Sequence, residues 1–371
     1  MREILICTVG TSLINNISRE SDSTLYKCLK DENIKGLSVE LGKIPPANNI
    51  CGAEINSIHS IIHGRYLNKQ TSLKLLVSDT DEGRLTGDIL SLYYRNNKNP
   101  DRFSSADFEV IEGLSDVDVI EFKNHGLRNL VRLIGRVVKT YDSQRILINA
   151  TGGYKAQISF AGMIGQALEI PVCYMFEKFS EVIQLPPQPI SLDLSFWLEN
   201  VDTFFELDEG IILQEDIDKY DARFRVLIEK TKEGGEYFTC LSPTGQLFHE
   251  TFRHRFAIRR TTLLPKTADL PVERKKIRYE DKNAGKHKGL ELYLSKILEI
   301  PYVKEIYTHY YNPDLSKSNL FRKSSKGIPG QLEGWFGNAG SLTKFEVITT
   351  ANTSGEQMAC QADLNDRFTG K

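Results

Sequence analysis

The stretch Ile146-Leu147-Ile148-Asn149-Ala150-Thr151-Gly152-Gly153-Tyr154-Lys155 constrains the fold more than any other. A short apolar run stops at small polar residues and two glycines. An apolar helical pattern from Ala156 to Leu168 follows. Strand, glycine turn, helix is the layout that aims backbone N–H groups and a helix N-terminus at an anion. Gly152 and Gly153 permit close backbone approach, Asn149 and Thr151 supply polar groups, and Lys155 supplies a positive charge. The first expectation is a phosphate-bearing ligand, such as a nucleotide. The turn has neither the Gly-x-x-x-x-Gly-Lys-Ser/Thr nor the Gly-x-Gly-x-x-Gly spacing. Taken alone, an ordinary βα turn fits the same residues.

Two further strand ends share this character. The apolar segment Glu3 to Val9 runs into Gly10-Thr11-Ser12, and Leu73 to Val77 runs into Ser78-Asp79-Thr80-Asp81-Glu82-Gly83. Helical spacing follows at Leu85, Ile89, Leu92 and Tyr93, and again at Leu127, Leu130, Val131, Ile134, Val137 and Val138. Phe108 to Ile111, Val117 to Ile120 and Val172 to Phe176 read as strands, with Val182 to Leu185 as a hairpin partner. Strands alternating with helices imply an α/β domain with a mostly parallel, doubly wound sheet. In such sheets ligands bind beyond the carboxyl ends of the strands. Three polar strand ends in one sheet converge on one crevice.

Pro186-Pro187-Gln188-Pro189 closes this domain, here taken as residues 1–190. A middle segment, 191–270, reads as a helical linker. Asp221 to Lys230 has a helical pattern broken by Gly234-Gly235. Ser242-Pro243 then marks a helix start, and Gln246 to Ile258 carries His249, Arg253, His254 and Arg255. Helix, turn, basic helix fits a winged-helix module; a spacer or dimer contact fits equally. Residues 271–371 form a third unit. Gly289 to Ile300 and Gly355 to Phe368 read as helices, and Val303 to Tyr310, Gly330 to Phe336 and Thr343 to Thr349 as strands. This is a small α+β unit.

With 371 residues, 40% hydrophobic and 26% charged, the chain is long enough for two or three domains. The net charge of -2 excludes a generic polyanion binder, but between Arg253 and Lys326 basic residues outnumber acidic ones about two to one. That is a solvated face or an RNA-facing one. The six cysteines are scattered without a Cys-x-x-Cys pair, which implies reduced thiols and no structural zinc. No apolar run is long enough to span a bilayer, and Met1-Arg2-Glu3-Ile4 enters a strand without a signal-peptide pattern. A cytoplasmic protein without membrane partners is expected.

Gly10-Thr11-Ser12, the run Leu76 to Leu85 and the run Ile148 to Lys155 together resemble the CARF domain, the Rossmann-like sensor of type III CRISPR systems. The resemblance covers roughly residues 1–190. It implies a homodimer that binds a cyclic oligoadenylate, commonly cyclic tetra-adenylate, across its two-fold axis. It places Gly10, Thr11, Ser12, Ser78, Asp79 and Thr80 at the pocket, and Asn149, Thr151, Gly152, Gly153 and Lys155 against phosphates and ribose hydroxyls.

The effector is read from the C-terminal unit. No histidine has the upstream arginine of a HEPN ribonuclease, and the strand Lys344-Phe345-Glu346-Val347-Ile348 lacks the Glu-x-Lys of a restriction-like nuclease. No His/Asp/Glu set has metal-ligand spacing along the chain, so no metal is expected. The pattern Lys286-His287-Lys288-Gly289, Pro301 to Ile306, Tyr311-Asn312-Pro313 and Phe321 to Lys326 is similar to the RelE-like domain of CRISPR-associated mRNA interferases. That resemblance implies a metal-free ribonuclease acting on mRNA in the ribosome. Lys286, His287, His309 and Tyr310 are then candidates for acid or base. Arg322, Lys323, Lys326 and Arg367 are candidates for holding phosphate, and Tyr310, Tyr311 and Trp335 for stacking on bases. Tyr311 and Trp335 also fit core positions, and Arg322 to Lys326 a solvated loop. Two other functions fit the residues: a ligand-responsive transcription regulator reading DNA with His249 to Arg255, and a ring nuclease using Thr11, Ser12 and Lys155 on the cyclic ligand.

Overall fold

The first strand, β1 (Ile4–Thr8), sends Ile4 and Ile6 to one face of its sheet and Leu5 and Cys7 to the other, and all four are fully buried. A strand buried on both faces requires cover on both sides. In the computed structural model, which describes residues 2–176, 180–187, 194–208, 212–213, 222–233, 236–279, 287–338 and 340–369, helices supply that cover. The chain divides into two compact units, Met1–Ile190 with Gln246–Thr251, and Ser191–Gly245 with Phe252–Lys371.

The sheet of the first unit contains β1, β2 (Ser72–Ser78), β3 (Ser105–Ile111), β4 (Ile146–Asn149), β5 (Val172–Tyr174) and β6 (Ile183–Leu185), in the order β3-β2-β1-β4-β5-β6. The first five are parallel and β6 pairs antiparallel with β5. On one face Leu5, Cys7, Leu73, Leu75 and Val77 pack beneath α1 (Ser12–Ser18), α2 (Thr24–Lys30), α3 (Ile34–Leu41), α4 (Gly52–His63) and α5 (Asp81–Arg95). On the other face Ile4, Ile6, Leu76, Ile146 and Ile148 meet a second set of helices. There α6 (Val119–Glu121) leads through a π turn into α7 (Leu127–Tyr141), and α8 (Lys155–Ala167) packs alongside.

The expected strand at Val117 to Ile120 does not form. Val117 is 90% exposed, and the chain turns into α6 with Asp118 capping it through the N–H groups of Ile120 and Glu121. All six cysteines are free. Burial pushes the thiol of Cys51 up to about 11 and those of Cys173 and Cys360 to about 12. Such thiols are poor nucleophiles and poor metal ligands at neutral pH.

In the second unit α9 (Leu194–Glu199), α10 (Val201–Asp208) and α11 (Ala222–Arg225) surround an aromatic core of Phe196, Trp197, Phe204, Phe205, Phe224, Phe252 and Phe256. Trp197 and Phe252 stack at 6.3 Å, and Phe204 and Phe224 lie 4.8 Å apart. The helix expected over Asp221 to Lys230 stops at Arg225. From Ile228 the chain is extended: β7 (Ile212–Leu213), β8 (Ile228–Glu233) and β9 (Glu236–Leu241) form a small antiparallel sheet. The β-formers Tyr237-Phe238-Thr239-Cys240-Leu241 offer a partner edge that outweighs the helical spacing. Gly234 and Gly235 lie outside the described residues. Ser242 caps α12 (Pro243–Leu263) by accepting from the Gly245 N–H, as expected. A hairpin and one long helix therefore replace the expected helix, turn, basic helix.

The last part holds a five-stranded sheet of β10 (Lys276–Tyr279), β11 (Val303–Asn312), β12 (Leu320–Lys323), β13 (Gln331–Asn338) and β14 (Ser341–Thr349), ordered β10-β11-β14-β13-β12. The β10 pairing is parallel and the others antiparallel. One face carries Ile306, Phe321, Leu332, Phe345 and Val347 into a core with α13 (Leu290–Leu298) and α14 (Ser354–Phe368). Thr353 caps α14, and Glu356 reaches back to the Thr353 N–H. Among the described residues no helix is long and apolar enough to cross a membrane. Phe345, fully buried at the centre of this core, sets a test of the packing. Phe345→Ala should cost about 3–5 kcal/mol, read as a lowered urea midpoint for loss of the second unit's signal.

Candidate functional site

The strand order reverses between β1 and β4: the chain winds from β1 through β2 to β3, then crosses to the far side of β1. That reversal opens a crevice at the carboxyl ends of the two strands. Register places the polar turns level with one another. Thr8 pairs with Leu76, and Cys7 with Asn149. Carried on along the strands, Gly10 stands between Ser78 and Gly152. The turns touch. The Thr8 hydroxyl donates to the Gly152 carbonyl at 2.6 Å, and a Cβ on Gly10 would lie 2.7 Å from the Gly153 nitrogen. Gly153 has φ of 104°, a conformation that suits glycine.

A residue that the sequence did not single out holds these turns. Glu54, in the first turn of α4, is wholly buried beneath them. Its carboxylate accepts from the Gly10 N–H at 2.7 Å and the Ser12 hydroxyl at 3.2 Å, and a Cβ on Gly152 would collide with its Oε1. Ser12 in turn accepts from the Ala53 N–H at 2.9 Å. Gln157 acts similarly from α8, donating to the Leu76 carbonyl at 3.2 Å and accepting from the Tyr154 N–H at 3.2 Å. Neither residue lies in a turn motif, so only tertiary contact reveals them.

The expected ligand residues divide into two groups. Gly10, Thr11, Ser12, Thr80, Thr151 and Gly153 are partly exposed at the crevice, and Lys155 is exposed at the start of α8. Asn149 is not available to a ligand. It is fully buried, donating to Ser57 Oγ at 2.7 Å and accepting from the Thr151 hydroxyl at 2.7 Å. Gly152 is buried over Glu54. Ser78 is also buried, sharing a 3.0 Å hydrogen bond with Thr80, which caps α5 through the Gly83 N–H. The Asp79 carboxylate is taken up by Arg84 and by the Gly113 N–H at 3.0 Å. Asn149, Ser78 and Asp79 therefore shape the turns.

A second constellation lies on the open face of the five-stranded sheet. Tyr307, Glu346, Glu333 and Arg322 are paired in one row across β11, β14, β13 and β12. The next row holds Lys344 and Trp335. In β11 a register shift falls between Thr308 and Tyr310. Thr308 faces the core, and the extra residue puts both His309 and Tyr310 on the exposed face. Bulges re-aim side chains in this way. The ligand atoms of His309, Glu333 and Glu346 all lie within 4.8 Å of one another. Glu346 is buried, accepts from Ser324 Oγ at 3.1 Å, and has Lys326 Nζ at 3.8 Å. Glu333 accepts from the Trp335 indole N–H at 2.7 Å. The cations of Arg322 and Lys344 both lie over the Trp335 ring, at 4.7 and 4.9 Å.

His309, Tyr310, Arg322 and Lys326 of the expected set thus share one face. Glu333, Glu346 and Lys344 join them, and their two-residue spacing on a strand was the signal available. His287 stands on the opposite side of the sheet. It is buried against Phe336, with Nδ1 2.7 Å from the Thr343 hydroxyl and Nε2 2.7 Å from Asn338 Oδ1. Asn338 Nδ2 donates to the Lys288 carbonyl, so its Oδ1 accepts from Nε2–H, and Nδ1 shares a hydrogen bond with the Thr343 hydroxyl. A buried ring with both nitrogens engaged is a structural histidine. Lys323 alternates to the other face of the edge strand, opposite Leu332. Lys286 lies outside the described residues. Trp335, buried under two cations, is closed to base stacking, and Tyr311 lies beside His287. Arg367 pairs with Asp363. In the segment considered for DNA reading, His249 is fully buried and Arg253 pairs with Asp366 at 2.9 Å. Two groups among the described residues have metal-ligand geometry: His309 with Glu333 and Glu346, and His59 with His63 and Asp101.

Burial raises the Glu54 carboxyl above its ordinary value of 4.5, with the Gly10 N–H and Ser12 hydroxyl opposing. An acid whose folded pKa is raised binds its proton more tightly when folded. Its contribution is complete below the unfolded value and is lost as pH rises through the folded one. Glu54→Gln should therefore gain stability relative to the wild type as pH rises from about 4.5, measured by urea unfolding across that range. A difference that does not change with pH would refute this. Gly152→Ala should weaken the crevice directly, lowering thermal stability.

Residues 49–188, less than half of the chain, match the model of a CRISPR-associated protein family (Cas_APE2256). No curated protein sequence matches the chain significantly. Among solved structures, Can2 from Sulfobacillus thermosulfidooxidans in complex with cyclic tetra-adenylate is 11% identical, with 72% of this chain and 71% of that chain covered and a TM-score of 0.24. Enterococcus italicus Csm6 bound to cyclic hexa-2'-fluoro-hexa-dAMP is 11% identical, with 61% and 48% covered and a TM-score of 0.27. Protein VC1899 from Vibrio cholerae is 8% identical, with 94% and 77% covered and a TM-score of 0.24. Over residues 49–188, then, the chain is similar to a family of CRISPR-associated proteins.

Proposed function

We propose that the first unit is a CARF-type sensor that binds a cyclic oligoadenylate, cyclic tetra-adenylate foremost, as a homodimer. We further propose that the liganded protein cleaves RNA at the open sheet face of the second unit, with mRNA on the ribosome as its target. The observation that carries the sensor reading is the level placement of the Gly10, Ser78 and Gly152 turns at the strand-order reversal. The CRISPR-associated family match supports it, since residues 49–188 include two of the three turns. Backbone N–H groups, the Thr11 hydroxyl and the Lys155 ammonium suit a ligand of repeating phosphates.

The open face suits metal-free phosphodiester cleavage. The RNA 2′-OH attacks the adjacent phosphorus, the P–O2′ bond forms and the P–O5′ bond breaks, leaving a 2′,3′-cyclic phosphate and a 5′-OH. A carboxylate of Glu333 or Glu346 takes the 2′ proton, and His309 gives a proton to the leaving O5′. Arg322, Lys326 and Lys344 hold the charge that builds on the phosphorane. Tyr310, exposed beside His309, offers a stacking surface for a base.

The test is one tube holding purified protein, ribosomes and mRNA, with or without cyclic tetra-adenylate. Cleavage should require the ligand and should proceed equally with protein stripped by EDTA and dialysed before the ribosomes are added. His309→Ala should slow cleavage by about 10²–10⁴-fold while leaving ligand binding unchanged. Lys155→Ala should weaken ligand binding by about tenfold through loss of a charged hydrogen bond. Equal cleavage without ligand would overturn the sensor reading, and loss of cleavage with the EDTA-stripped, dialysed protein would overturn the metal-free chemistry.

A further inference from the structure

We propose that His59, His63 and Asp101 form a binding site for a divalent transition-metal ion of the zinc class, separate from the ligand crevice. His59 and His63 are one turn apart on α4 and therefore project from the same face. Both imidazoles converge on one carboxylate. His59 Nδ1 lies 2.6 Å from Asp101 Oδ2, and His63 Nε2 lies 3.2 Å from Asp101 Oδ1. The two ring centroids are 4.1 Å apart, and all three ligand atoms lie within 4.8 Å of one another. An ion bound about 2.0–2.2 Å from each donor holds its donors roughly 3.3 Å apart. Small side-chain rotations bring the trio to that spacing.

The carboxylate is held in place. Asp101 is 3% exposed. Its backbone N–H donates to Asn99 Oδ1 at 2.9 Å, and buried Asn99 donates to the Tyr93 carbonyl at 3.0 Å. Such supporting bonds orient a ligand and raise metal affinity. The opposite side is open: the His63 side chain is 60% exposed, which provides an entry path and a position for water. Two imidazoles and one carboxylate select zinc, nickel, cobalt or copper over magnesium and calcium. A bound ion would pin the last turn of α4 to the loop carrying Asp101, and the first turn of the same helix carries Glu54.

The test uses the full chain stripped with EDTA and titrated with ZnCl2, then with CoCl2 followed by its visible absorption. One ion should bind at this site with the absorption of a low-coordinate nitrogen–oxygen site, and excess magnesium or calcium should not displace it. Binding should weaken on acidification, because protons compete with the metal for its ligands. His63→Ala, at an exposed position, should lower zinc affinity by at least about tenfold, and Asp101→Asn should do the same. His309→Ala should leave the cobalt spectrum unchanged. Equal zinc affinity in the wild type and His63→Ala, or a cobalt spectrum removed by His309→Ala, would overturn the proposal.

Discussion

A carboxylate without solvent is the hinge of the first unit's construction. Glu54 lies beneath the turns that leave β1 and β4, and its oxygens are met by a backbone N–H and a hydroxyl. A buried acid held by neutral donors is costly as an anion. It remains because it sets where two glycine turns meet. The collision that a Cβ on Gly152 would make with Glu54, and the close approach of Gly10 to Gly153, make small residues obligatory there. The polar lip of the crevice is therefore a by-product of dense packing underneath it.

The second unit builds its polar surface by a different means. Strand alternation sorts β13 and β14 cleanly: Leu332, Phe345 and Val347 turn inward, and Glu333, Lys344 and Glu346 turn outward. Four strands then stack acids, cations and aromatic rings in rows. Cross-strand neighbours at this spacing interact in pairs. The Arg322 and Lys344 cations over Trp335, and the Trp335 indole bonded to Glu333, tie the rows together. Groups of opposite charge and differing exposure are thus kept within one phosphate's reach of each other.

Much of the first unit was legible in the chain. The apolar runs of β1, β2 and β4 and the spacing of α7 depend on local pattern, which survives translation into structure. The level placement of the three strand ends followed from the rule that parallel strands end on one edge. What local pattern could not carry was contact across the chain. Glu54 and Gln157 sit inside helices and look like solvated residues until the turns above them are in place. The strand at Ile228–Glu233 was missed because a helical spacing competes with an edge that only β9 supplies. His287 looked reactive beside two lysines, but Thr343 and Asn338, far along the chain, occupy both of its nitrogens.

The irregularity in β11 has a consequence for how this surface tolerates change in chain length. Thr308 pairs with Phe345 and Tyr310 with Lys344, so one residue is surplus to the ladder. A chain lacking that residue would close its hydrogen bonds without a gap. It would lose the imidazole and leave Tyr310 opposite Lys344 on the open face without its neighbour. The defect in the weave is what gives the cloth its working side.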